Sequence, residues 1–265
     1  MASKKKTLIE IAPGFWNLRA SFTFAFGAID IGTQMSFLRL NNGKFLVVDT
    51  CDMSASTKQE VDELTQNGSL IEAVIATHPF HTMYFTPFYK NYPNTKYYGT
   101  PRHIRNNKVV PWTGDINDES VRNLWESEGV SIRIPDGADF VNPAENNHFI
   151  SAFVLHRASK TLHDDDTIMY FEKPGFVLRL AGARDGDMDF HLSTLKEGLY
   201  PTEEALLQFY RWVEQLLQDW DFDNIAAAHT GVKIGGAKAQ LTDILAKYKP
   251  KLEKLSRDNA ARSKK

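Results

Sequence analysis

The sequence predicts an α/β fold with a partly parallel sheet, and the order of its elements leads to that prediction. Between about residues 36 and 100 the chain alternates strand, helix, strand, helix and strand, which is typical of an α/β layer. The second half is similar, because a strand-rich block at 148–182 precedes a helix, a strand and a final helix. No internal repeat of fixed period is present. We therefore expect residues 1–265 to form a single domain with two β-rich halves.

Turn and capping signals define the elements of the first half. Asn42-Gly43 is a strong tight-turn signal between the strands MSFLRL and KFLVVD. In residues 54–66, serine and threonine candidates for an N-cap precede apolar residues at helical spacing, and Gly68 ends that helix. The next predicted elements are the strand LIEAVIA, a helix within TMYFTPFYKNYP that Pro93 stops, and the strand TKYYGTP.

The second half is predicted from composition and apolar spacing. Residues 101–148 are dense in Asn, Asp, Gly and Pro, so we expect loops there with one short helix at DESVRNLWESEG. The next predicted strands are HFISAFVLH, TIMYFE and GFVLRLAG. They are followed by the amphipathic helix TEEALLQFYRWVEQLLQDW, the strand NIAAAHTG and the helix AKAQLTDILAKYKPKLEKL.

Composition and charge limit the function classes. A hydrophobic fraction of 42% and a net charge of −2 are ordinary, and they give no reason to expect a nucleic-acid or membrane partner. A single cysteine, Cys51, excludes an intrachain disulfide and a multi-cysteine zinc cage, which fits a reducing compartment. No secretory signal is evident and no apolar run approaches about 18 residues, so the expected location is cytoplasmic. The basic ends, 1–6 and 256–265, are predicted to be short solvated tails.

Polar residues recur where apolar strands stop. FLVVD ends at Asp49, AVIAT is followed by His78 and His81, SAFVLH ends at His156, and NIAAAH ends at His229. Strand ends of one sheet can converge on one edge, where sites in open α/β sheets usually lie. Imidazole and carboxylate groups are suitable ligands for zinc, iron or manganese.

A run of carboxylates, HDDDT, adds a further candidate ligand. Its central residue, Asp165, lies nine residues after His156, on the loop after the strand. Each of these residues also has a purely structural interpretation. A histidine that ends a strand is usually hydrogen-bonded, the aspartates could form a solvated turn, and Asp49 could cap the following helix. The fourfold recurrence of the pattern favours a metal site.

The order of VVDT, THPFH, HRASKTLHDDD and AAAHTG resembles the metallo-β-lactamase fold superfamily over about residues 30–235. The resemblance implies a four-layered αββα sandwich with mixed sheets and a metal site at one edge. The positions that match the family in kind and order are Asp49, His78, His156, Asp165 and His229.

The sequence departs from the family at its T-H-x-H-x-D-H motif. Counting from His78, the next His, the Asp and the last His of that motif are replaced by Phe80, Thr82 and Met83. The lost Asp and last His serve the second metal in the family. The resemblance therefore implies a divergent branch with a reduced, mononuclear site.

One ion could still be held by imidazoles. Pro79 suits the first position of a helix, which would make His78 the cap and place His81 on the same face. With His156 these rings would supply three nitrogens, and Asp165 or His229 would supply a fourth ligand or orient a water. We expect zinc, with iron or manganese as alternatives.

The resulting functional prediction is a metal-dependent hydrolase. Metal-bound hydroxide would attack an ester, thioester, lactone or amide of a small-molecule substrate. Asp165 would ligate the metal or act as base, His229 would complete the shell or steady the oxyanion, and Asp49 would organise the histidine loop.

An alternative starts from the aromatic surroundings of the histidines. Apolar residues are dense around His81, and a pocket without metal could bind a ligand or a partner in a non-catalytic protein of the same fold. These apolar neighbours are Phe80, Met83, Tyr84, Phe85 and Phe88. The substrate, which depends on the loops at 101–148, and the oligomeric state stay open.

Overall fold

The structure is a computed structural model that describes residues 7–24, 29–180, 182–229 and 231–263. Its elements up to the middle of the chain are β1 Leu8–Ala12, β2 Phe15–Ala20, β3 Thr23–Phe24, β4 Ile29–Asp30, β5 Thr33–Arg39, β6 Phe45–Val48, α1 Ala55–Thr65, β7 Ile71–Ile75, α2 Phe85–Asn91, β8 Lys96–Gly99, α3 Pro101–Asn106, β9 Trp112–Asp115 and α4 Glu119–Arg122. After a 3-10 turn at Asn123–Trp125 come β10 Val130–Arg133, β11 Phe153–His156, β12 Thr161–Asp164, β13 Ile168–Tyr170, α5 Phe176–Leu180, β14 Met188–Phe190, α6 Glu203–Asp219, β15 Asn224–Ala227, β16 Gly231–Lys233 and α7 Ala237–Ser263.

Within these described residues the strands form two large mixed sheets. The first has the order β1-β2-β5-β6-β7-β8-β9, in which β6, β7, β8 and β9 are parallel. The second has the order β10-β11-β12-β15-β16, in which β12 and β15 are parallel and the other neighbours antiparallel. Two short ribbons, β3-β4 and β13-β14, complete the β structure.

Successive side chains of each strand point to opposite faces of the sheet, and the two faces pack into different core clusters. In β5, Leu38 joins a core cluster shared with Phe153 of the second sheet and Phe209 of α6, and α7 packs into the same cluster. The neighbouring Phe37 faces the other way, into a cluster that also contains Val61 of α1. Because one face of each sheet meets the other sheet and the outer faces meet helices, the architecture is the predicted αββα sandwich.

Local signals explain why the predicted elements of the first half form where they do. The Asn42-Gly43 turn joins β5 and β6, with Gly43 at φ 84°, a conformation that glycine adopts without steric cost. Ser54 caps α1 by accepting the Thr57 N–H at 3.1 Å. Both predictions are confirmed.

Several elements differ from the sequence prediction. GFVLRLAG, predicted to be a strand, contains the short helix α5, whose Phe176 and Leu180 are exposed and have no sheet neighbour. The region at 101–148 contains α3, β9 and β10 in addition to its predicted short helix. Residues 256–263, predicted as part of a tail, continue α7, and the buried Ser256 donates its hydroxyl to the Glu203 carbonyl at 2.6 Å. The other predicted tail, residues 1–6, lies outside the described residues.

In the part of the chain that the structure describes, none of the helices combines the length and the apolar character needed to cross a membrane.

Candidate metal centre

Side chains from three segments of the chain meet at one edge of the two sheets. We call the group formed by His78, His81, Asp166 and His229 the rim cluster. The Oδ2 atom of Asp166 is 3.3 Å from Nε2 of His78 and 3.3 Å from Nε2 of His81. The Oδ1 atom is 3.1 Å from Nε2 of His229. The structure thus brings together His78, His81 and His229, which the sequence predicted as ligands.

The two histidines that follow β7 reach the rim cluster through a tight turn. The N–H of His81 donates to the carbonyl of His78 at 3.2 Å, and α2 begins only at Phe85. The prediction that Pro79 opens a helix is therefore wrong. The turn nevertheless places the ring centroids of His78 and His81 only 4.1 Å apart.

The consecutive aspartates of the HDDDT run have different partners, because β12 ends among them. The Asp164 carboxylate accepts the Ser151 hydroxyl at 2.8 Å and the Ile168 N–H at 2.6 Å. Asp165 contacts residues between the sheets. Asp166 has a φ of 76°, in the left-handed region, and its carboxylate reaches the rim cluster. The carboxylate at the centre of the rim cluster is thus Asp166, whereas the sequence predicted Asp165.

A second group of titratable side chains is enclosed between the sheets. We call Asp49, His163 and Asp165 the inner cluster, and their exposed fractions are 1%, 0% and 1%. Nε2 of His163 lies 3.1 Å from Oδ2 of Asp49 and 3.5 Å from Oδ1 of Asp165. Burial alone would lower the pKa of His163, but hydrogen bonds and charges from the two carboxylates raise that pKa to about 9.

Asp49 contacts the residue that precedes the histidine turn. Its Oδ1 accepts the N–H of Thr77 at 2.8 Å, and its Oδ2 accepts the Thr77 hydroxyl. Burial and the charge of Asp165 raise the pKa of Asp49, against hydrogen bonds from His163 and Thr77. Since Thr77 directly precedes His78, Asp49 lies where the turn begins, and its organising role stays a prediction.

Asp165 connects the two clusters. Its Oδ2 lies 2.8 Å from Nδ1 of His81, and a carboxylate can only accept, so His81 donates from Nδ1. His229 is fixed in the same way, because its Nδ1 donates to the Gly32 carbonyl at 2.6 Å. Both Nε2 atoms therefore face the rim cluster, which is how the partners of metal-binding histidines commonly orient them.

The charges of the rim cluster follow from these contacts. Burial alone would lower the pKa of His81, but the charge of Asp166 and hydrogen bonds with Asp165 and Asp166 raise it well above its ordinary value. The pKa of His229 is likewise raised by Asp166 against the effect of burial. Burial would raise the pKa of Asp166, but the nearby His229 and His81 hold it well below its usual range.

His78 differs from the other two imidazoles. Burial, together with the charge of His81, lowers its pKa to about 3, so the ring is neutral. Its Nδ1 accepts the Phe80 N–H at 3.2 Å, which places the ring proton on Nε2. That Nε2–H faces the carbonyl of His148 and the carboxylate of Asp166, each at 3.3 Å. His78 is therefore a hydrogen-bond donor in this arrangement, whereas His81 and His229 present lone pairs when neutral.

His156 is not part of the rim cluster. β11 runs antiparallel to β12 and pairs His156 with Thr161, the first residue of β12. β11 therefore ends where β12 begins, and the rim cluster lies at the other end of β12. His156 Nδ1 lies 2.7 Å from the Ser159 hydroxyl, and Nε2 lies 2.9 Å from the Arg39 carbonyl. The prediction that His156 holds the metal is wrong, and His156 is a hydrogen-bonded structural histidine.

The donor atoms of the rim cluster fit a divalent ion such as zinc. Zinc binds imidazole nitrogen and carboxylate oxygen at about 2.0–2.2 Å, which places tetrahedral ligands about 3.3–3.6 Å from one another. The Nε2 atoms of His81 and His229 are 3.3 Å apart, and the Asp166 oxygens lie 3.3 and 3.1 Å from them. The two nitrogens are thus separated by about one tetrahedron edge, and each lies close to a different oxygen of Asp166.

A buried hydroxyl beside the cluster supports a ligand there. Thr50 lines a small cavity together with His81 and His229, and its side chain is 4% exposed. Among the described residues its Oγ1 has no hydrogen-bond partner. Buried polar atoms are nearly always satisfied, so a water or a substrate oxygen in this cavity would complete the arrangement.

Sequence reasoning missed Asp166, His163 and Thr50 as residues of the centre. The first two belong to the HDDDT run, but the sequence alone does not tell which of its adjacent residues faces the centre, because this depends on where the strand ends. Assigning TLHD to a strand places Thr161 and His163 on one face and Leu162 on the other. No pattern indicates Thr50, because a threonine after a strand is most often a cap or a turn residue.

Comparison with solved structures identifies the fold. A metallo-β-lactamase from Erythrobacter litoralis aligns at 17% identity, over 91% of this chain and 92% of that chain, with a TM-score of 0.51. One from Hirschia baltica aligns at 16% identity, over 94% and 96%, with a TM-score of 0.54. FIM-1 from Pseudomonas aeruginosa, in its mono-zinc form, aligns at 13% identity, over 91% and 95%, with a TM-score of 0.55. The chain therefore has the metallo-β-lactamase fold.

Sequence comparison adds no narrower assignment. No protein-family profile matches the chain, and no curated protein matches it. The identities to the solved structures are low enough that the similarity concerns the fold alone. The chemistry must therefore be argued from the residues of the rim cluster.

Proposed function

We propose that the chain is a metal-dependent hydrolase that binds a single zinc ion at the rim cluster and cleaves an ester, thioester, lactone or amide. The observation that carries this proposal is the orientation of two imidazoles. His81 and His229 are both held through Nδ1, and both direct Nε2 at the carboxylate of Asp166. Metal-binding histidines almost always donate their other ring N–H to such a partner, so this orientation supports a metal site.

The residues of the chain have distinct roles in this proposal. His81, His229 and Asp166 would hold the ion, with the neutral His78 as a weaker fourth ligand or as a hydrogen-bond donor to Asp166. An ion at this position would supply Lewis acidity and lower the pKa of a bound water towards about 7. Asp165 keeps the proton of His81 on Nδ1. The hydroxyl of Thr50 would bind the attacking water or a substrate oxygen.

One ion is proposed because the inner cluster is already satisfied. The oxygens of Asp49 accept from Thr77 and His163, and those of Asp165 accept from Gln34 and His81. The raised pKa of His163 keeps a positive charge between the two carboxylates. A cation there would have to displace the proton of His163 from a site with no exposed member.

Metal analysis tests the proposal directly. The wild-type protein, purified without chelator, is expected to contain about one equivalent of zinc. The H81A, H229A and D166N variants are expected to contain none. The matched control is H156Q, which changes a buried histidine at the opposite edge and is expected to keep its zinc.

Activity and stability measurements complete the test. Hydrolysis of a simple chromogenic ester is expected to stop on chelation and to return on addition of zinc. A wild-type protein that holds no metal, and whose melting temperature is unchanged by chelator, would instead support the non-catalytic alternative. The small-molecule substrate, the absence of nucleic-acid and membrane partners and the cytoplasmic location remain proposals.

A further inference from the structure

A large cavity opens beside the rim cluster. Its volume is about 530 Å³, within the range of about 300–1,000 Å³ that is typical of small-molecule sites. Asp166 and His229 line one end, so a molecule in the cavity would reach the proposed metal centre. We call this space the apolar cavity, because of its walls. The side chains that make the walls apolar are Ile31, Ile168, Met169, Phe171, Leu178 and Leu192.

The mouth of the apolar cavity is also apolar. Two of its lining residues are exposed apolar side chains: Leu192, which follows the β13-β14 ribbon, is 78% exposed, and Leu178 of α5 is 36% exposed. Large apolar side chains exposed together are uncommon on a monomer surface and often mark a ligand site. Leu178 and Leu192 thus extend the apolar walls to the surface.

The charges around the cavity disfavour an anionic ligand. Besides Asp166, the lining includes Asp30, Asp187 and Asp189. The lysine that lines it, Lys247, already pairs with Asp189 at 3.3 Å. A carboxylate on the substrate would therefore meet uncompensated negative charge along the walls, away from the metal.

We propose that the apolar cavity binds the acyl group of an uncharged ester or thioester, with the carbonyl at the rim cluster. This inference rests on the proposed function. In the reaction the oxygen of one water adds to the acyl carbon, and the acyl C–O or C–S bond breaks. The products are a carboxylate, an alcohol or thiol that takes one proton, and a second proton that is released.

Burial of the acyl chain in the apolar cavity should make substrates with longer acyl chains react faster. Each fully buried methylene group contributes a factor of about fourfold in binding. Since the cavity is open at one side, only part of this gain is expected. From p-nitrophenyl acetate to p-nitrophenyl octanoate we expect kcat/KM of the zinc-loaded protein to rise at least about tenfold.

The experiment compares acyl chains and variants. p-Nitrophenyl acetate, butanoate, pentanoate and octanoate probe length, and the p-nitrophenyl monoester of succinic acid places a carboxylate at the end of a chain of similar size to pentanoate. L192D is expected to reduce the ratio of the octanoate to the acetate rate at least about fivefold. The control L124D changes a leucine that is 50% exposed and does not line the apolar cavity, and it should leave that ratio unchanged.

A binding measurement separates this inference from the proposed function. 2-Decanone is expected to raise the melting temperature of the wild-type protein more than 2-butanone does, and L192D is expected to abolish that difference. Absence of all ester hydrolysis, with this binding preference intact, refutes the hydrolase but keeps the cavity assignment. Equal rates for all chain lengths, faster enzymatic hydrolysis of the succinate ester than of pentanoate after subtraction of the enzyme-free rates, or an unaltered L192D profile would overturn the assignment.

Discussion

Nδ1 of His81 lies 2.8 Å from Oδ2 of Asp165, on the side of the imidazole that faces away from the rim cluster. The other oxygen of Asp165 accepts the side-chain amide of Gln34, also at 2.8 Å. The carboxylate that the sequence predicted to be a ligand therefore lies behind His81, which is one of the proposed ligands. It holds the ring through Nδ1 and leaves Nε2 facing the rim cluster.

The first prediction concerns this carboxylate. D165N should weaken zinc binding by about 10-fold to 100-fold, because losses of this size are typical when the partner of a metal-binding histidine is replaced. Competition with a chromogenic chelator measures the affinity. D118N is the control, since Asp118 is exposed and makes no side-chain cap bond at α4. Equal zinc affinity in D165N and wild type would remove the orienting role.

The second prediction separates His78 from His81. H81Q should lose stoichiometric zinc, whereas H78Q should keep it with reduced affinity. The reason is the Phe80 N–H, which occupies Nδ1 of His78 and leaves the ring proton on Nε2. Elemental analysis of both purified variants measures the difference. Complete loss of zinc from H78Q at saturating zinc would show that His78 is a full ligand.

The third prediction is a pH dependence of the metal-free protein. Burial would lower the pKa of His163, but the hydrogen bonds that its ring donates to Asp165 and Asp49 raise this pKa to about 9 in the folded state. A group with a raised folded pKa stabilises fully below its unfolded pKa, near 6.5, and this contribution is lost as the pH rises through about 9. The shift corresponds to roughly 3 kcal/mol of the free energy of unfolding.

Urea unfolding in the presence of chelator, between pH 6.5 and pH 10, measures this dependence. His81 and His229 also have raised pKa values, so the whole slope does not belong to His163. H163N should therefore show a shallower decline of stability with pH than the wild type. Identical slopes would mean that His163 is uncharged in the folded protein.

The fourth prediction concerns a glycine that fixes the loop before β11 against α6. Gly137 has a φ of 85°, and a Cβ there would lie 2.2 Å from the carbonyl oxygen of Ala205. Because a helix backbone cannot move aside cheaply, G137A should lower the free energy of unfolding by more than about 3 kcal/mol.

The matched control for this prediction is G43A. Gly43 has nearly the same φ, 84°, but a Cβ there would meet nothing within 4 Å. G43A should lower the free energy of unfolding by only about 1–2 kcal/mol, the cost of the left-handed conformation for alanine. Chemical unfolding of both variants isolates the steric part, and equal costs would contradict the close approach of the two backbones.

The sequence predicted well the parts of the centre that parallel strands determine. Asp49 and His78 follow β6 and β7, which are parallel neighbours, so their strand ends share an edge. His229 follows β15, whose parallel neighbour β12 leads into the aspartate run. An apolar run that stops at a polar residue is a local pattern, and the shared edge follows from the topology of an α/β fold.

The predictions that were wrong depend on the direction of a strand and on the residue at which a strand ends. SAFVLH has the same local pattern as the correct strands, but β11 is antiparallel to β12 and delivers His156 to the far edge. The strand direction is set by pairing between distant segments, which one sequence does not specify. The choice of Asp166 over Asp165 likewise depends on where β12 ends and on the left-handed conformation of Asp166.

The aspartate run after β12 holds three identical residues in three different environments. Asp164 binds Ser151 and a backbone N–H, Asp165 orients His81, and Asp166 meets the imidazoles. Deleting any one of the three gives the same sequence, HDDT, which has two carboxylates for three environments. The length of this segment is consequently as strictly constrained as its chemistry, because a chain shortened by one residue would leave one of the three environments without its carboxylate.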